Sequence, residues 1–305
     1  MKKYLVGFIG QGWIGKNYAD DFEERGYDVV RYALEEPYVQ NGHKIKTCDV
    51  VFIAVPTPST PDGFDFSIIR KALKKIGTGK IAIIKSTIVP GTTEKLQKEF
   101  SDIILMHSPE FLTEATAKQD AANPLRNIIG IPVENEKYKK HAGIVTDILP
   151  PAKYSKICHS RTAELIKYGG NNWFYFKVLY INLLYDLAKK MGVNWEDLRE
   201  AMSADPRIGQ SHMIPVHKSG TAGGDAYQAT EAKEDEAGGR GAGGHCFIKD
   251  FAAFHDLYKE KVGDNHGINL LDAMRDKNID LLLKTEKDLD LLLGVYGEEK
   301  INKHK

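Results

Sequence analysis

The chain has 305 residues, enough to bury a substantial core and to hold two domains. Lys plus Arg and Asp plus Glu stand at 42 each, so the formal net charge is zero and there is no basic footprint for DNA or RNA. The three cysteines, Cys48, Cys158 and Cys246, are too few and too scattered for a disulfide framework. No signal-peptide pattern opens the sequence and no apolar run approaches the roughly 20 residues of a membrane span, so a soluble, cytoplasmic protein is expected.

Lys2 to Ile9 is a short apolar run that reads as a buried strand, and Gly10-Gln11-Gly12-Trp13-Ile14-Gly15 follows it directly. In this G-x-G-x-x-G turn Gly10 permits the tight bend, Gly12 lets the backbone approach a pyrophosphate, and Gly15 lets the next helix pack close. That helix, about Ile14 to Arg25, points its N-terminal amides at the phosphates. Asp28 to Tyr32 reads as the second strand. The acidic residue that usually binds the ribose would fall at its end, where Ala33 stands. Glu35 and Glu36 lie just beyond. Arg31 is either a solvated strand residue or a contact for a 2′-phosphate, so NAD is the predicted cofactor and NADP the alternative.

Further strands are predicted at Asp49 to Val55, Lys80 to Lys85, Ile103 to Met106 and Asn127 to Ile131. Amphipathic segments such as Ser67 to Lys75 and Thr92 to Phe100 alternate with them, as a doubly wound parallel sheet requires. The span between the second strand and Asp49 is too short for a full strand-helix unit, so the sheet is predicted to be abridged there. The strand ends carry Pro56-Thr57-Pro58, Ser86-Thr87 and Ser108-Pro109-Glu110, a polar rim suited to a nicotinamide or equally to helix caps.

From Arg161 to Lys190 a long helical pattern predicts the spine of a second, all-helical domain. The boundary is drawn as 1–158 for the Rossmann-like domain and 159–305 for the helical one. Lys167 and Asn171 stand four apart and share one helical face. They are either an oxyanion-stabilising pair or an ordinary solvated lysine beside an asparagine. Asp205-Pro206-Arg207-Ile208-Gly209 stops a helix, and 210–243 is Gly-, Ala- and charge-rich without periodicity, long enough to be a lid or a functional insertion. Helical patterns follow around Asp250 to Tyr258, Ile268 to Leu283 and Asp288 to Leu293. Between them Gly243-Gly244-His245-Cys246 places a thiol at a helix start with Lys249 nearby, an environment that favours a thiolate, although a lone cysteine is more often a small buried hydrophobe. No second cysteine or paired histidine stands at ligand spacing, so no metal is expected.

The motifs G-x-G-x-x-G, VPTP, KST-x-x-PGTT, SPEFLTE, NP-x-R, AELIKYGGNN, DPRIG and GGHCFIKD, in that order, resemble the UDP-glucose/GDP-mannose dehydrogenase family over nearly the whole chain. The resemblance implies oxidation of a nucleotide sugar's C6 alcohol to the carboxylate with reduction of two NAD. It implies that Cys246 is the nucleophile, forming a thiohemiacetal and then a thioester. Lys167 with Asn171 would stabilise oxyanions, Asp250 and Thr87 would hold a water, and Glu114 would be the base in hydrolysis. Glu110, Phe111, Leu112, Thr113 and Glu114 would line the sugar site. Gly243 and Gly244 of the cysteine loop would complete it, and Arg240, which the family pattern lacks, is a further candidate for gripping the substrate. Thr57, Thr87 and Lys249 would touch the cofactor beside the residues from Gly10 to Gly15. The central helices would form a homodimer interface.

The sequence departs from the family pattern at Ala33, in the length of the insertion, and in the loop Gly238 to Cys246, which has Arg240 in place of aromatic residues. It also stops shortly after the helix Ile268 to Leu283, where family members continue into a further nucleotide-binding domain. Two other readings are a two-electron dehydrogenase of the β-hydroxyacid type, which would not need Cys246, and a non-catalytic dinucleotide-binding protein.

Overall fold

A computed structural model describes residues 4–61, 63–113, 116–218 and 238–304, so Glu114 and the 219–237 stretch of the insertion lie outside the described residues. The chain divides into two units, Met1–Thr57 with Asp65–Lys167, and Pro58–Phe64 with Tyr168–Lys305.

In the first unit β1 (Leu5–Ile9), α1 (Trp13–Glu24) and β2 (Asp28–Tyr32) form the opening strand-helix-strand. Two short 3-10 turns, Val39–His43 and Ile45–Thr47, then replace the helix that a full repeat would carry. This is the predicted abridgement. After β3 (Val50–Ile53) comes a two-residue hairpin, β4 (Ser59–Thr60) and β5 (Gly63–Phe64), which groups with the second unit. Next come α2 (Ser67–Leu73), β6 (Ile81–Ile84), α3 (Thr92–Glu99) and β7 (Ile104–His107). The unit continues with α4 (Ala117–Ala122), β8 (Arg126–Ile131), α5 (Glu136–Ile148) and β9 (Tyr154–His159).

The seven-stranded sheet has the order β2-β1-β3-β6-β7-β8-β9. Pairing is parallel from β2 to β7, antiparallel between β7 and β8, and parallel again between β8 and β9. The chain passes from β2 on one side of β1 to β3 on the other. The carboxyl ends of β1 and β3 therefore flank the switch point where such sheets bind ligands. Strands β3, β6 and β7 are buried throughout and read as continuous apolar runs, the pattern of a sheet covered on both faces. Phe8 of β1 and Phe52 of β3 stack at 5.1 Å, and Phe22 of α1 packs edge-on to Phe8 at 5.4 Å, which seats α1 on the sheet.

α6 (Ser160–Met191) runs for 32 residues and continues into the second unit, the division falling after Lys167. α7 (Trp195–Ser203) is capped by the Asn194 side chain. The second unit is not wholly helical: β10 (Val216–His217) pairs antiparallel with β11 (Gly239–Arg240), because the chain returns beside itself on either side of 219–237. α8 (Gly244–Lys261), α9 (Asn265–Lys284) and α10 (Leu289–Asn302) complete the unit, with α10 broken at Gly297. Tyr175 of α6 stacks on Phe251 of α8 at 4.0 Å, surrounded by Val178, Leu179, Leu271 and Leu281. Ile248, Ile279, Leu282, Leu292 and Ile301 form a further core that holds α8, α9 and α10 together. No helix among the described residues is long and apolar enough to cross a membrane.

Candidate active site

Gly10 ends β1 with φ at 93°, and a Cβ on Gly15 would lie 2.0 Å from the Gly10 carbonyl oxygen. Only glycine at 15 lets α1 begin this close to the strand. Gly12 is different: a Cβ there would meet nothing within 4 Å. The space over Gly12 adjoins the α1 N-terminus, which has no acidic residue in its first turn and, among the described residues, no capping side chain. Helix-end amides beside open space fit the pyrophosphate of a dinucleotide. Gln11 Nε2 donates to the Gly10 carbonyl at 3.0 Å, Trp13 is 39% exposed, and Ile14 packs against the core. At the neighbouring strand ends Thr57 Oγ1 donates to the Thr87 carbonyl at 2.8 Å, and the Ser86 hydroxyl bridges the Val55 backbone at 2.9 and 2.7 Å. Arg31 is not simply solvated. Its guanidinium binds Glu23 through two bonds of 2.9 and 2.7 Å and stands 2.7 Å from Asp20.

A second cluster in the same unit lies at the ends of β6 and β7. Lys167 Nζ and Glu110 Oε1 form an ion pair at 2.7 Å with both side chains buried. The other Glu110 oxygen accepts from Leu112 N at 2.8 Å, while Thr113 N donates to Asp120 at 2.8 Å. The Phe111 ring carries the Arg126 guanidinium at 3.8 Å and Lys167 Nζ at 5.8 Å. Beneath them Lys85, 3% exposed, donates to Ser108 Oγ at 3.2 Å and lies 4.4 Å over the Tyr18 ring. Burial pushes the Lys85 ammonium down to about 7, opposed by the Glu110 charge and reinforced by that of Lys167. His107 is fully buried, and burial with the Lys85 charge keeps the ring neutral. Glu164, one turn before Lys167 on α6, accepts from Gly91 N, Thr93 N and Thr93 Oγ1 at 2.6, 2.8 and 2.6 Å. It thereby caps α3 from another element. Burial lifts its carboxyl to about 7 against these hydrogen bonds.

The second unit holds the other group. Cys246 lies in the first turn of α8, partly exposed, with no acidic residue in that turn. One turn later Asp250, 1% exposed, accepts from Asn171 Nδ2 of α6 at 2.6 Å and pairs with Lys249 Nζ at 2.5 Å. Asp250 is thus an oriented, desolvated carboxylate in the helix that carries the thiol. Arg240 turns to α6 instead: Nε donates to Asn182 Oδ1 at 2.8 Å and Nη1 pairs with Asp186 at 2.8 Å. Gly243 is the N-cap of α8 and Gly244 its first residue.

The structure therefore brings Lys167 together with Glu110, and Asn171 with Asp250 and Lys249, while Glu114 lies outside the described residues. Lys85, Glu164 and the α9–α10 corner at Thr285 to Asp288 were not singled out by spacing. For Lys85 the signal is a charged residue set directly against the buried apolar run Ile81 to Ile84. Among the described residues no group of three or more His, Cys, Asp or Glu is placed to hold a metal.

Comparison with known proteins bears on both units. Residues 36–146 match the model of the UDP-glucose/GDP-mannose dehydrogenase family, NAD binding domain, and residues 161–230 that of its central domain, together more than half of the chain. The UDP-glucose 6-dehydrogenase of Rickettsia conorii is 28% identical over 263 residues, covering 81% of this chain and 53% of that protein. The chain spans about half or less of the length of several curated relatives that it matches. Among solved structures, a UDP-glucose dehydrogenase from Pyrobaculum islandicum aligns with a TM-score of 0.71 at 24% identity, covering 93% of this chain and 71% of that one. The 3-hydroxyisobutyrate dehydrogenase of Mycobacterium tuberculosis aligns with a TM-score of 0.67 at 14% identity, covering 97% of this chain and 99% of that one. These structural likenesses establish the fold.

Proposed function

This chain belongs to the UDP-glucose/GDP-mannose dehydrogenase family, and from that premise we propose that it oxidises the C6 alcohol of a nucleotide sugar to the carboxylate through Cys246. The observation that carries the reading is the thiol's setting. Cys246 occupies the positive end of α8, and one turn on Asp250 is clamped by Asn171 and Lys249. A merely structural cysteine needs no buried, doubly held carboxylate one turn away.

A bound nicotinamide dinucleotide supplies the acceptor for each of two hydrides. The rest falls to the chain. Lys167 donates hydrogen bonds to the alkoxide and later oxyanions, its ion pair with Glu110 fixing where the ammonium points. The aldehyde carbon from the first oxidation accepts the Cys246 sulfur, and the oxyanion takes a proton to give a thiohemiacetal. Loss of the second hydride and of the hydroxyl proton leaves a thioester. Water oriented by Asp250 adds to it, Glu114 takes the water's proton, and the C–S bond breaks to return the thiol. One alcohol, two NAD+ and water thus give one carboxylate and two NADH, with protons released.

NAD is favoured over NADP because Asp20 and Glu23 surround Arg31, so that a 2′-phosphate would meet a site of net negative charge. A homodimer is supported by α6, where Trp173, Tyr180, Leu187 and Met191 recur on one face at 63%, 58%, 55% and 68% exposure. A cytoplasmic location follows from the same family reading.

The second reading, a two-electron dehydrogenase of the β-hydroxyacid type, is favoured by the end-to-end alignment with 3-hydroxyisobutyrate dehydrogenase. One experiment separates them. With a panel of UDP- and GDP-sugars, the proposal expects two NADH per sugar consumed and loss of the second oxidation in Cys246→Ser. One NADH per substrate with Cys246→Ser fully active overturns it. Dinucleotide binding without turnover of any substrate would make the chain a binding protein.

A further inference from the structure

The stretch before Cys246 is gripped by a part of the chain that no motif marks. Thr285 Oγ1 accepts from Arg240 N at 3.0 Å, and Lys287 Nζ donates to the Gly241 carbonyl at 3.1 Å. Asn278 Oδ1 accepts from Ala242 N at 2.7 Å, while its Nδ2 donates to the Ala242 carbonyl at 3.0 Å. Last, Asp288 Oδ2 accepts from Gly244 N at 2.8 Å. Arg240, Gly241, Ala242 and Gly244 are thus held by α9 and the corner that joins it to α10. The glycines answer this approach. A Cβ on Gly243 would fall 2.0 Å from Asp288 Oδ2, and one on Gly239 would fall 2.5 Å from the Lys287 Cβ. Asp288 itself adopts a left-handed conformation with φ at 54°. Such a conformation in a non-glycine residue persists where its surroundings hold it.

Gly244 is the first residue of α8 and Cys246 the third, so the Asp288 carboxylate sits on the amide end of the helix that carries the thiol. No acidic residue of α8 itself occupies that turn. We propose that Asp288 is a positioning residue for Cys246: it fixes the first turn of α8 through the Gly244 amide, and its negative charge holds the thiol less ionised than the bare helix end would leave it. The second half follows from electrostatics, because a carboxylate at a helix N-terminus offsets the positive end that favours a thiolate. Among the described residues, the charged or titratable groups near this turn include His245, Lys249 and Asp250 on α8, Lys287 on the corner, and His212, whose ring lies 5.7 Å from that of Phe247. Lys287 is buried, and burial pushes its ammonium down to about 8, so it is mostly charged at pH 7 and loses that charge as the pH rises through 8.

The functional importance of this control rests on Cys246 being the nucleophile; its effect on the thiol does not. The test is therefore thiol chemistry on the full chain: carbamidomethylation of Cys246 by iodoacetamide, followed site by site with mass spectrometry from pH 6 to 10. Asp288→Asn keeps an accepting oxygen for Gly244, tolerates the left-handed backbone and removes only the charge. It is expected to alkylate about threefold faster at pH 7, with the midpoint of the pH profile moved down. Asp288→Gly removes the acceptor without adding backbone strain, and should cost the Gly244 amide at least about tenfold in hydrogen-exchange protection. An unchanged alkylation profile in Asp288→Asn, or unchanged Gly244 protection in Asp288→Gly, overturns the proposal. If Cys246→Ser retains the double oxidation, the functional reading fails while these measurements still decide the role of Asp288.

Discussion

Replacing Lys85 by methionine should stabilise the first unit at neutral pH, although the substitution removes a hydrogen bond from the end of β6. Lys85 has Ser108 Oγ at 3.2 Å as its hydrogen-bond partner and the Tyr18 ring at 4.4 Å, but no carboxylate within ion-pair distance among the described residues. Burial moves its pKa from the ordinary 10.5 to about 7. At about 1.4 kcal/mol per pH unit, bringing the group into the folded chain costs about 4 kcal/mol at pH 7. Methionine fills a similar volume without this cost. It forgoes about 1 kcal/mol for the hydrogen bond and about 1 kcal/mol for the cation–π contact, leaving a net gain of about 2 kcal/mol. The sign with pH is fixed. Because the folded pKa is lowered, the unfolded chain holds the extra proton between about pH 7 and 10.5. Wild-type stability attributable to this group therefore rises through that window, and the advantage of Lys85→Met falls to about zero near pH 9.5. Urea-dependent hydrogen exchange of the β6 amides at pH 7 and 9.5 reads this unit directly. A variant that is less stable at pH 7, or a difference that is the same at both pH values, refutes the reasoning.

Gly12→Ala and Gly15→Ala should separate binding from folding. The first adds a methyl group to open space and is expected to leave melting unchanged while weakening NAD affinity at least about tenfold; the second drives a Cβ into the Gly10 carbonyl and should cost about 1–3 kcal/mol of stability. Calorimetry and thermal unfolding of both variants check the pair, and normal NAD affinity in Gly12→Ala would remove the pyrophosphate from this turn. The double variant Asp20→Asn, Glu23→Gln frees the Arg31 guanidinium, so binding of NADP relative to NAD should rise about tenfold; an unchanged ratio places the 2′-phosphate elsewhere. Leu187→Arg puts a charge into the exposed apolar face of α6 and should convert a dimer to a monomer in sedimentation at micromolar concentration. A wild-type chain that already sediments as a monomer excludes the interface.

Much of the architecture was legible because it is encoded locally. The run from Lys2 to Gly15 specifies strand, turn and helix within a few residues, and β2 occupies Asp28–Tyr32 as its pattern predicts. The long spine was readable from its helical period, and the observed α6 differs from the expected span by one residue at each end. β9 was not legible, because its first four residues are exposed and carry no buried face to set an apolar alternation. The short pairing of β10 with β11 was hidden for a related reason: it joins segments on either side of 219–237, and no local period reports so distant a partner.

By itself the sequence determined the dinucleotide turn, the alternation of strands and helices, and the placing of Lys167 and Asn171 four residues apart on one helix. These follow from backbone geometry, which depends on neighbours a few residues away. What only the tertiary structure decided was the environment of each functional side chain. Asn171 meets Asp250 from 79 residues away, and the amide of Gly244 finds Asp288 from 44 residues away. Burial, which lowers the Lys85 pKa and raises that of Glu164, comes from the packing of separate elements. Residue type and spacing select the chemistry available to a site; desolvation and long-range partners set its charge and aim.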